Sequence, residues 1–212
     1  MMKAIAICGS PREGGNTEYY LKTVLGELAQ KGVETEYIPM LDKTVKPCRG
    51  CYGCLQAKKC VQDDDFEAIF EKMEQADIII LGSPVYVGKP TSLLQALLER
   101  VTFSARASGR MLTGKVGAPV TVARRAGQVY AFGELLLWYF INDMIIPGSM
   151  YWNVAVAGAK GAKDADKDLE GIEIMKYTAA NLLKVATALQ NSKAEDSAVA
   201  RDKLFFTQPQ EK

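Results

Sequence analysis

The sequence predicts a single α/β domain in which helices cover both faces of a five-stranded parallel sheet. Segments with strand-like and helix-like patterns alternate along the whole chain. Residues 77–83 (DIIILGS) form a continuous apolar run, which is typical of a parallel strand buried on both faces. The chain has 212 residues, enough for one well-buried core but too few for two full-sized domains.

The first part of the chain opens with a βα unit. Lys3–Cys8 is an apolar run that predicts a buried strand, and residues 17–31 have the apolar spacing of a helix. Glu34–Pro39 alternates weakly, which predicts a shorter second strand, and the helical spacing returns at Phe66–Gln75. A cysteine-rich loop, residues 46–62, is therefore inserted after the second strand.

The second part repeats the alternation. The third strand, residues 77–83, is stopped by a proline, and a helix follows it. The remaining predicted elements are a helix at 91–101, a strand at 115–123, a helix at 129–142, a strand at 151–157 and a helix at 169–189. Five such strands fit the order 2-1-3-4-5 of a flavodoxin-like three-layer sandwich. We assign residues 1–190 to this domain and residues 191–212 to a charged C-terminal tail.

Composition excludes several functions. The chain has 26 Lys and Arg against 25 Asp and Glu, so no bulk charge attracts nucleic acid or anionic membrane. It contains no histidine, which excludes histidine-ligated metals and histidine acid–base steps. Polar residues interrupt the longest apolar stretch, residues 129–146, so we expect no membrane anchor. The amino-terminal apolar stretch is too short for a secretory signal, which predicts a cytoplasmic protein.

Four cysteines in the C-x2-C-x2-C-x5-C run are the most informative local feature: Cys48, Cys51, Cys54 and Cys60. This spacing brings four thiolates onto one short loop, as an iron–sulfur cluster requires when one segment supplies all its ligands. A structural zinc site, a redox-active disulfide or a set of free thiols are the alternatives. The fifth cysteine, Cys8, lies in the first apolar strand and is expected in the core.

The segment GSPREGGNT, residues 9–17, lies between the first strand and the helix after it. A helix amino terminus at the carboxyl edge of a parallel sheet offers free N–H groups and a positive dipole end to a phosphate. The residues predicted to hold it are Ser10, Arg12, Gly15, Asn16 and Thr17. The loop matches neither G-x-G-x-x-G nor the Walker pattern. A plain turn with an Asn16 or Thr17 helix cap is the alternative.

Two more loops are expected at the same sheet edge. The loop after the third strand contains Pro84, Val85, Tyr86, Val87 and Gly88, whose backbone could read the polar edge of a flat heterocycle. The loop after the fourth strand contributes Arg124, Arg125 and Gly127, and an arginine there could stabilise negative charge on a reduced ring. The alternatives are that Tyr86 is a half-buried packing residue and that the two arginines form a solvated surface pair.

Taken together, GSPREGGNT, GSPVYVGKP and the cysteine run resemble the archaeal and bacterial iron–sulfur flavoproteins. These proteins belong to the larger group of flavodoxin-like, NADPH-dependent FMN reductases, and the resemblance extends to about residue 190. It implies FMN held by the three loops and a [4Fe-4S] cluster ligated by the four cysteines. It also implies reduced ferredoxin as the electron donor, and dimers that pair into tetramers. The third loop departs from the family, since relatives often have two adjacent glycines where this chain has Arg124-Arg125-Ala126-Gly127.

The leading hypothesis is therefore an electron-transfer flavoprotein that passes electrons from ferredoxin through cluster and flavin to a small acceptor. The alternative is an NAD(P)H-dependent FMN or quinone reductase whose cysteine loop is structural or binds zinc, and a redox sensor is a third. Two further expectations concern surfaces. A basic collar, defined as Lys46, Arg49, Lys58 and Lys59, would steer an acidic carrier. The apolar helix around residues 135–140 would lie in a subunit interface.

Overall fold

A computed structural model describes residues 1–192 and contains a five-stranded parallel sheet of order β2-β1-β3-β4-β5. The strands are β1 (Lys3–Cys8), β2 (Glu34–Pro39), β3 (Ile78–Pro84), β4 (Val116–Ala123) and β5 (Val154–Val156). The helices are α1 (Asn16–Ala29), α2 (Gly53–Ala57), α3 (Phe66–Gln75), α4 (Ser92–Ala107), α5 (Gln128–Ile141) and α6 (Leu169–Gln190). The predicted fold class and strand order are confirmed. The predicted tail, residues 191–212, lies outside the described residues except for its first two positions.

The core forms two layers because side chains alternate across the sheet. In β1, Ala4, Ala6 and Cys8 face the layer made with α1 and α6, and Ile5 and Ile7 face α3, α4 and α5. All of these side chains are buried, so the expectation that Cys8 belongs to the core is confirmed. Small residues on one face and large ones on the other let α1 approach the sheet closely.

Three elements differ from the sequence prediction. Helix α4 continues to Ala107, six residues beyond the predicted end, because its buried face continues through Ser104 and no breaker precedes Gly109, whose φ is +95°. Strand β5 is shorter than predicted, since its register with β4 begins only at Val154. The cysteine insertion contains the short helix α2, which the sequence pattern did not indicate.

Helix α5 is buried on one side only. Leu135 and Tyr139 pack against the sheet, whereas Leu137 and Phe140 are 69% and 79% exposed. The helix therefore presents an apolar face away from the core, as the sequence predicted, and its role as a subunit interface stays a prediction.

Over residues 1–192, no helix has both the length and the apolar character needed to cross a membrane.

Candidate functional site

A cleft lies at the carboxyl edge of the sheet, where the loops after β1, β3, β4 and β5 meet. The predicted residues that line it are Ser10, Arg12, Gly15, Asn16, Thr17, Pro84, Val85, Tyr86 and Arg124. Three predicted residues, Val87, Gly88 and Gly127, are outside the lining. The structure thus brings together the residues singled out in three separate loops, at the position where open α/β sheets bind ligands.

The loop after β1 is shaped as a tight turn into α1. The Ser10 hydroxyl, which is buried, accepts a hydrogen bond from the Arg12 N–H at 3.2 Å. Gly15 precedes the helix, and a Cβ there would lie 3.3 Å from the Arg12 carbonyl oxygen. No side chain caps this helix, so its first N–H groups remain available to a ligand. The alternative of a turn capped by Asn16 or Thr17 is therefore not what the structure shows.

The first two loops are fastened to each other through the start of α4. The Thr91 hydroxyl donates to the Gly9 carbonyl oxygen at 2.6 Å, and the Thr91 N–H donates to the Ser83 hydroxyl at 3.0 Å. The same threonine caps α4 by accepting from the Leu94 N–H. Both side chains that make these bonds, Thr91 and Ser83, are buried, so the cleft has a fixed wall.

Gly127 shapes the cleft without lining it. Its φ is +93°, and a Cβ there would lie 2.9 Å from the Val85 Cγ1 atom. The loop after β4 can therefore pack against the loop after β3 only because this position lacks a side chain. Tyr86 and Lys89 close the latter loop with two reciprocal backbone hydrogen bonds, which leaves Val87 fully exposed at its tip.

Asn16 makes contacts that the sequence did not indicate. Its Oδ1 accepts from the N–H groups of Asp164 and Ala165 at 3.0 and 3.1 Å, and its Nδ2 donates to the Ala162 carbonyl oxygen at 2.9 Å. The side chain thus clamps the loop after β5, residues 157–168, against the loop after β1. Its predicted role as a phosphate donor stays a prediction. In the structure, the side-chain amide already makes hydrogen bonds to this loop.

The clamped loop adds a cation to the cleft. Lys163 lines it, and its ammonium donates to the Glu13 carbonyl oxygen at 2.9 Å. Lys163, Arg12 and Arg124 give the cleft a positive charge, and no carboxylate is among its described lining residues. Three cations and an uncapped helix terminus fit the phosphate of FMN, which carries negative charge and accepts several hydrogen bonds.

The four predicted cysteines surround one cavity beside α4. Cys48, Cys51, Cys54 and Cys60 all line it, and Arg100, Phe103 and Ser104 of α4 complete its wall. Cys54 is buried on α2, whereas Cys51 is exposed, so the cavity reaches the protein surface. The loop bends tightly, with positive φ at Gly50, Tyr52 and Lys58. The cysteine cavity and the cleft at the sheet edge have no described lining residue in common.

A buried arginine of α4 binds the cysteine loop from inside. Arg100 is 1% exposed, and its Nη2 donates to the Cys60 Sγ at 3.1 Å. Its Nη1 forms an ion pair of 2.6 Å with Asp64, whose side chain is also buried. Burial alone would raise the pKa of Asp64, but hydrogen bonds from Arg100 and from the N–H groups of Lys46 and Phe66 hold it below its ordinary value.

The chemistry of the cysteine cavity fits an iron–sulfur cluster. Burial raises the pKa of the Cys54 thiol, and the three neighbouring cysteines raise it further. Because metal centres bind cysteine as the thiolate, a bound cluster would offset this effect. The Nε of Arg100 is buried without a hydrogen-bond partner in the described structure, and a group carrying acceptor sulfurs would offer it one.

The described residues do not form a preformed site for a single metal ion. Within residues 1–192, no group of three cysteine or carboxylate side chains is arranged to hold one. In zinc–cysteine sites the Zn–S distance is about 2.3 Å, so the sulfur atoms lie close together. A cluster with an iron atom at each of four corners keeps its ligands further apart.

Sequence reasoning missed Arg100, Asp64, Thr91 and Lys163 as contributors to these sites. Arg100 carried a signal, because it interrupts the apolar face of α4 three residues after the buried Leu97. Asp64 carried no such signal, because it is one of three consecutive aspartates, a pattern typical of a solvent-exposed segment. Lys163 lies in a polar loop whose contact with the loop after β1 depends on tertiary structure.

Known proteins resemble this chain over most of its length. Residues 2–159 match the family model described as NADPH-dependent FMN reductase. The chain is 38% identical over 185 residues to an iron–sulfur flavoprotein of Methanocaldococcus jannaschii, covering 86% of this chain and 94% of that protein. It is 32% identical over 200 residues to an iron–sulfur flavoprotein of Methanosarcina thermophila, covering 91% and 99% respectively.

Solved structures show the same fold at low identity. RosB, in complex with the intermediate 8-demethyl-8-formylriboflavin-5'-phosphate, has a TM-score of 0.77 at 18% identity over 96% of this chain and 86% of its own. A flavodoxin from the domain Archaea has a TM-score of 0.56 at 20% identity, covering 87% and 99%. From the family match and the extent of the sequence identity, the chain belongs to the NADPH-dependent FMN reductase family and, within it, to the iron–sulfur flavoproteins.

Proposed function

We propose that this protein is a cytoplasmic electron-transfer flavoprotein with FMN in the sheet-edge cleft and a [4Fe-4S] cluster in the cysteine cavity. Electrons enter from a reduced ferredoxin-like carrier and leave to a small acceptor. Family membership assigns a flavin-based redox function. The observation that carries the finer proposal is that one chain holds both a cationic cleft and four cysteines around a single cavity.

In the cleft, the chain's own residues would bind and orient the flavin. Arg12, Lys163 and the amino terminus of α1 would neutralise the phosphate, and Pro84 to Tyr86, which line one wall of the cleft, would lie beside the ring. FMN supplies the ability to exchange one or two electrons. Arg124, an exposed cation in the lining, would stabilise negative charge on the ring after reduction.

In the cysteine cavity, Cys48, Cys51, Cys54 and Cys60 would hold the cluster, which supplies one-electron transfer. The basic collar surrounds this site, and its four side chains are exposed. Of these, Lys46 and Arg49 border a shallow groove next to Cys48. A positively charged surface beside an exposed redox centre would attract an acidic protein such as ferredoxin and raise the association rate.

Assembly would bring the two centres together. The resemblance to the iron–sulfur flavoproteins implies that the cluster of one subunit lies near the flavin of another. Within one chain, the cavity and the cleft have separate linings, which is compatible with that arrangement. The exposed apolar face of α5, with Leu137 and Phe140, and the nearby Trp152 supply a surface for a homodimer or homotetramer.

The proposal is tested by purifying the protein without oxygen and measuring iron, acid-labile sulfide and FMN. We expect about four iron and four sulfide per flavin. Bleaching of both chromophores by reduced ferredoxin, faster than by NADPH, is the expected kinetic result. Protein with FMN but without iron or sulfide, even after anaerobic reconstitution, would overturn the cluster.

The second candidate is an NAD(P)H-dependent FMN or quinone reductase, which the name of the matched family favours. Hydride transfer requires nicotinamide to stack on the flavin, whereas a ferredoxin delivers single electrons. Rapid reduction of the bound flavin by NADPH, unaffected by loss of the cysteines, would establish this candidate in place of the first.

A further inference from the structure

Arg100 is the one buried cation in the described structure that contacts a predicted cluster ligand. Its guanidinium is fixed on α4 by the ion pair with Asp64 and by a stacking contact with Phe66, whose ring centroid lies 4.2 Å from the Cζ atom. A second hydrogen bond, from Nη1 to the Lys46 carbonyl oxygen at 3.2 Å, holds it to the start of the cysteine loop. The contact with Cys60 is therefore made by a group that cannot easily turn away.

Stability alone is a weak explanation for this buried ion pair. Replacing such a pair by apolar residues is often neutral or stabilising, because both charges lose their hydration. A charge retained in the interior beside a ligand sulfur thus calls for another explanation. The nitrogen of Arg100 that reaches Cys60 is distinct from the one that pairs with Asp64, so its N–H is directed at the sulfur.

We propose that Arg100 is a positioning residue that raises the reduction potential of the cluster, and that Asp64 limits this effect. The inference rests on the proposed function, since it requires a cluster at the four cysteines. When one electron enters from the carrier, the site gains one negative charge and no bond is formed or broken. A buried cation in contact with a ligand sulfur stabilises the reduced state more than the oxidised state.

The two members of the ion pair have opposite effects on the potential. The Arg100 charge contacts the Cys60 Sγ directly, at 3.1 Å from Nη2, while Asp64 contacts the other terminal nitrogen, Nη1. Loss of the cation should therefore lower the potential, and loss of the carboxylate should raise it. A merely structural pair would give no such opposite shifts, because either loss would only weaken the loop.

The test is a redox titration of the cluster in anaerobically purified protein, followed by electron paramagnetic resonance. The variants are Arg100→Met, Arg100→Lys and Asp64→Asn. The control is Lys59→Met, which removes an exposed charge next to Cys60. At the wild-type midpoint potential, we expect Arg100→Met to reduce the ratio of reduced to oxidised cluster at least tenfold, equivalent to about 59 mV for one electron. Asp64→Asn should increase this ratio, and Arg100→Lys and Lys59→Met should change it much less.

The outcomes separate this inference from the proposed function. Wild-type protein without iron and sulfide contradicts the cluster itself. Wild-type protein with a cluster whose potential is unchanged in both Arg100→Met and Asp64→Asn overturns only the role of Arg100. If Arg100→Met does not fold or retain iron, the sign of the shift in Asp64→Asn decides, since a fall or no change would contradict the inference.

Discussion

Replacing Asn16 by alanine should weaken FMN binding by about 10- to 100-fold while leaving the fold intact. The substitution removes three hydrogen bonds of 2.9–3.1 Å to the loop after β5. Each contributes about 0.5–1.5 kcal/mol, and the lower part of that range applies because the loop is largely exposed. The total is about 1.5–3 kcal/mol, and 1.4 kcal/mol is tenfold in affinity. FMN would then have to order the released loop, with Lys163, as it binds.

The assay is fluorescence titration of flavin-free protein with FMN, supported by trypsin digestion without FMN. Release of the loop should speed cleavage after Lys160 and Lys163. Asn16→Asp should bind FMN more weakly still, because its carboxylate would face Asp164 at the position where Nδ2 now lies 3.5 Å from Oδ1. The matched control is Asn181→Ala, which removes a bond to the Gly148 carbonyl oxygen far along the chain. An FMN dissociation constant within twofold of wild type in Asn16→Ala, with unchanged digestion, would refute the clamp.

Three further predictions concern stability and partner binding. Tyr139→Phe should lower the free energy of unfolding by about 1–3 kcal/mol in urea, because the buried hydroxyl contacts the Leu81 N–H and two carbonyl oxygens of β3 and β4; an unchanged transition midpoint would contradict this. The double change Lys58→Ala/Lys59→Ala should slow reduction by ferredoxin several-fold at low ionic strength and flatten its salt dependence, and equal rates for variant and wild type would count against the basic collar. Because the folded-state pKa of Asp64 is lowered, its carboxylate contributes stability above its ordinary pKa of about 3.8, and this is lost as the pH falls through the folded-state value. Wild type should therefore lose more unfolding free energy below pH 4 than Asp64→Asn, and parallel curves for the two would show that the pair is not linked to pH.

The strand order and the location of the cleft could be predicted because they depend on local patterns. Continuous apolar runs such as residues 77–83 identify central strands, and the loops that follow parallel strands must meet at one edge. The cysteine site could be predicted because its four ligands are close in sequence. The ends of elements could not be predicted as well: α4 extends to Ala107, because no local breaker marks where its buried face stops.

Other features depend on residues that are far apart in the chain. Asn16 is separated from Asp164 by 148 positions, and Arg100 from Cys60 by 40, so no local pattern records either contact. The sequence by itself determined the fold class, the three loops of the cleft and the four-cysteine motif. Only the tertiary structure decided that Asn16 clamps a loop and that a buried cation contacts a cysteine, because such contacts arise when packing of the sheet and helices brings distant side chains together.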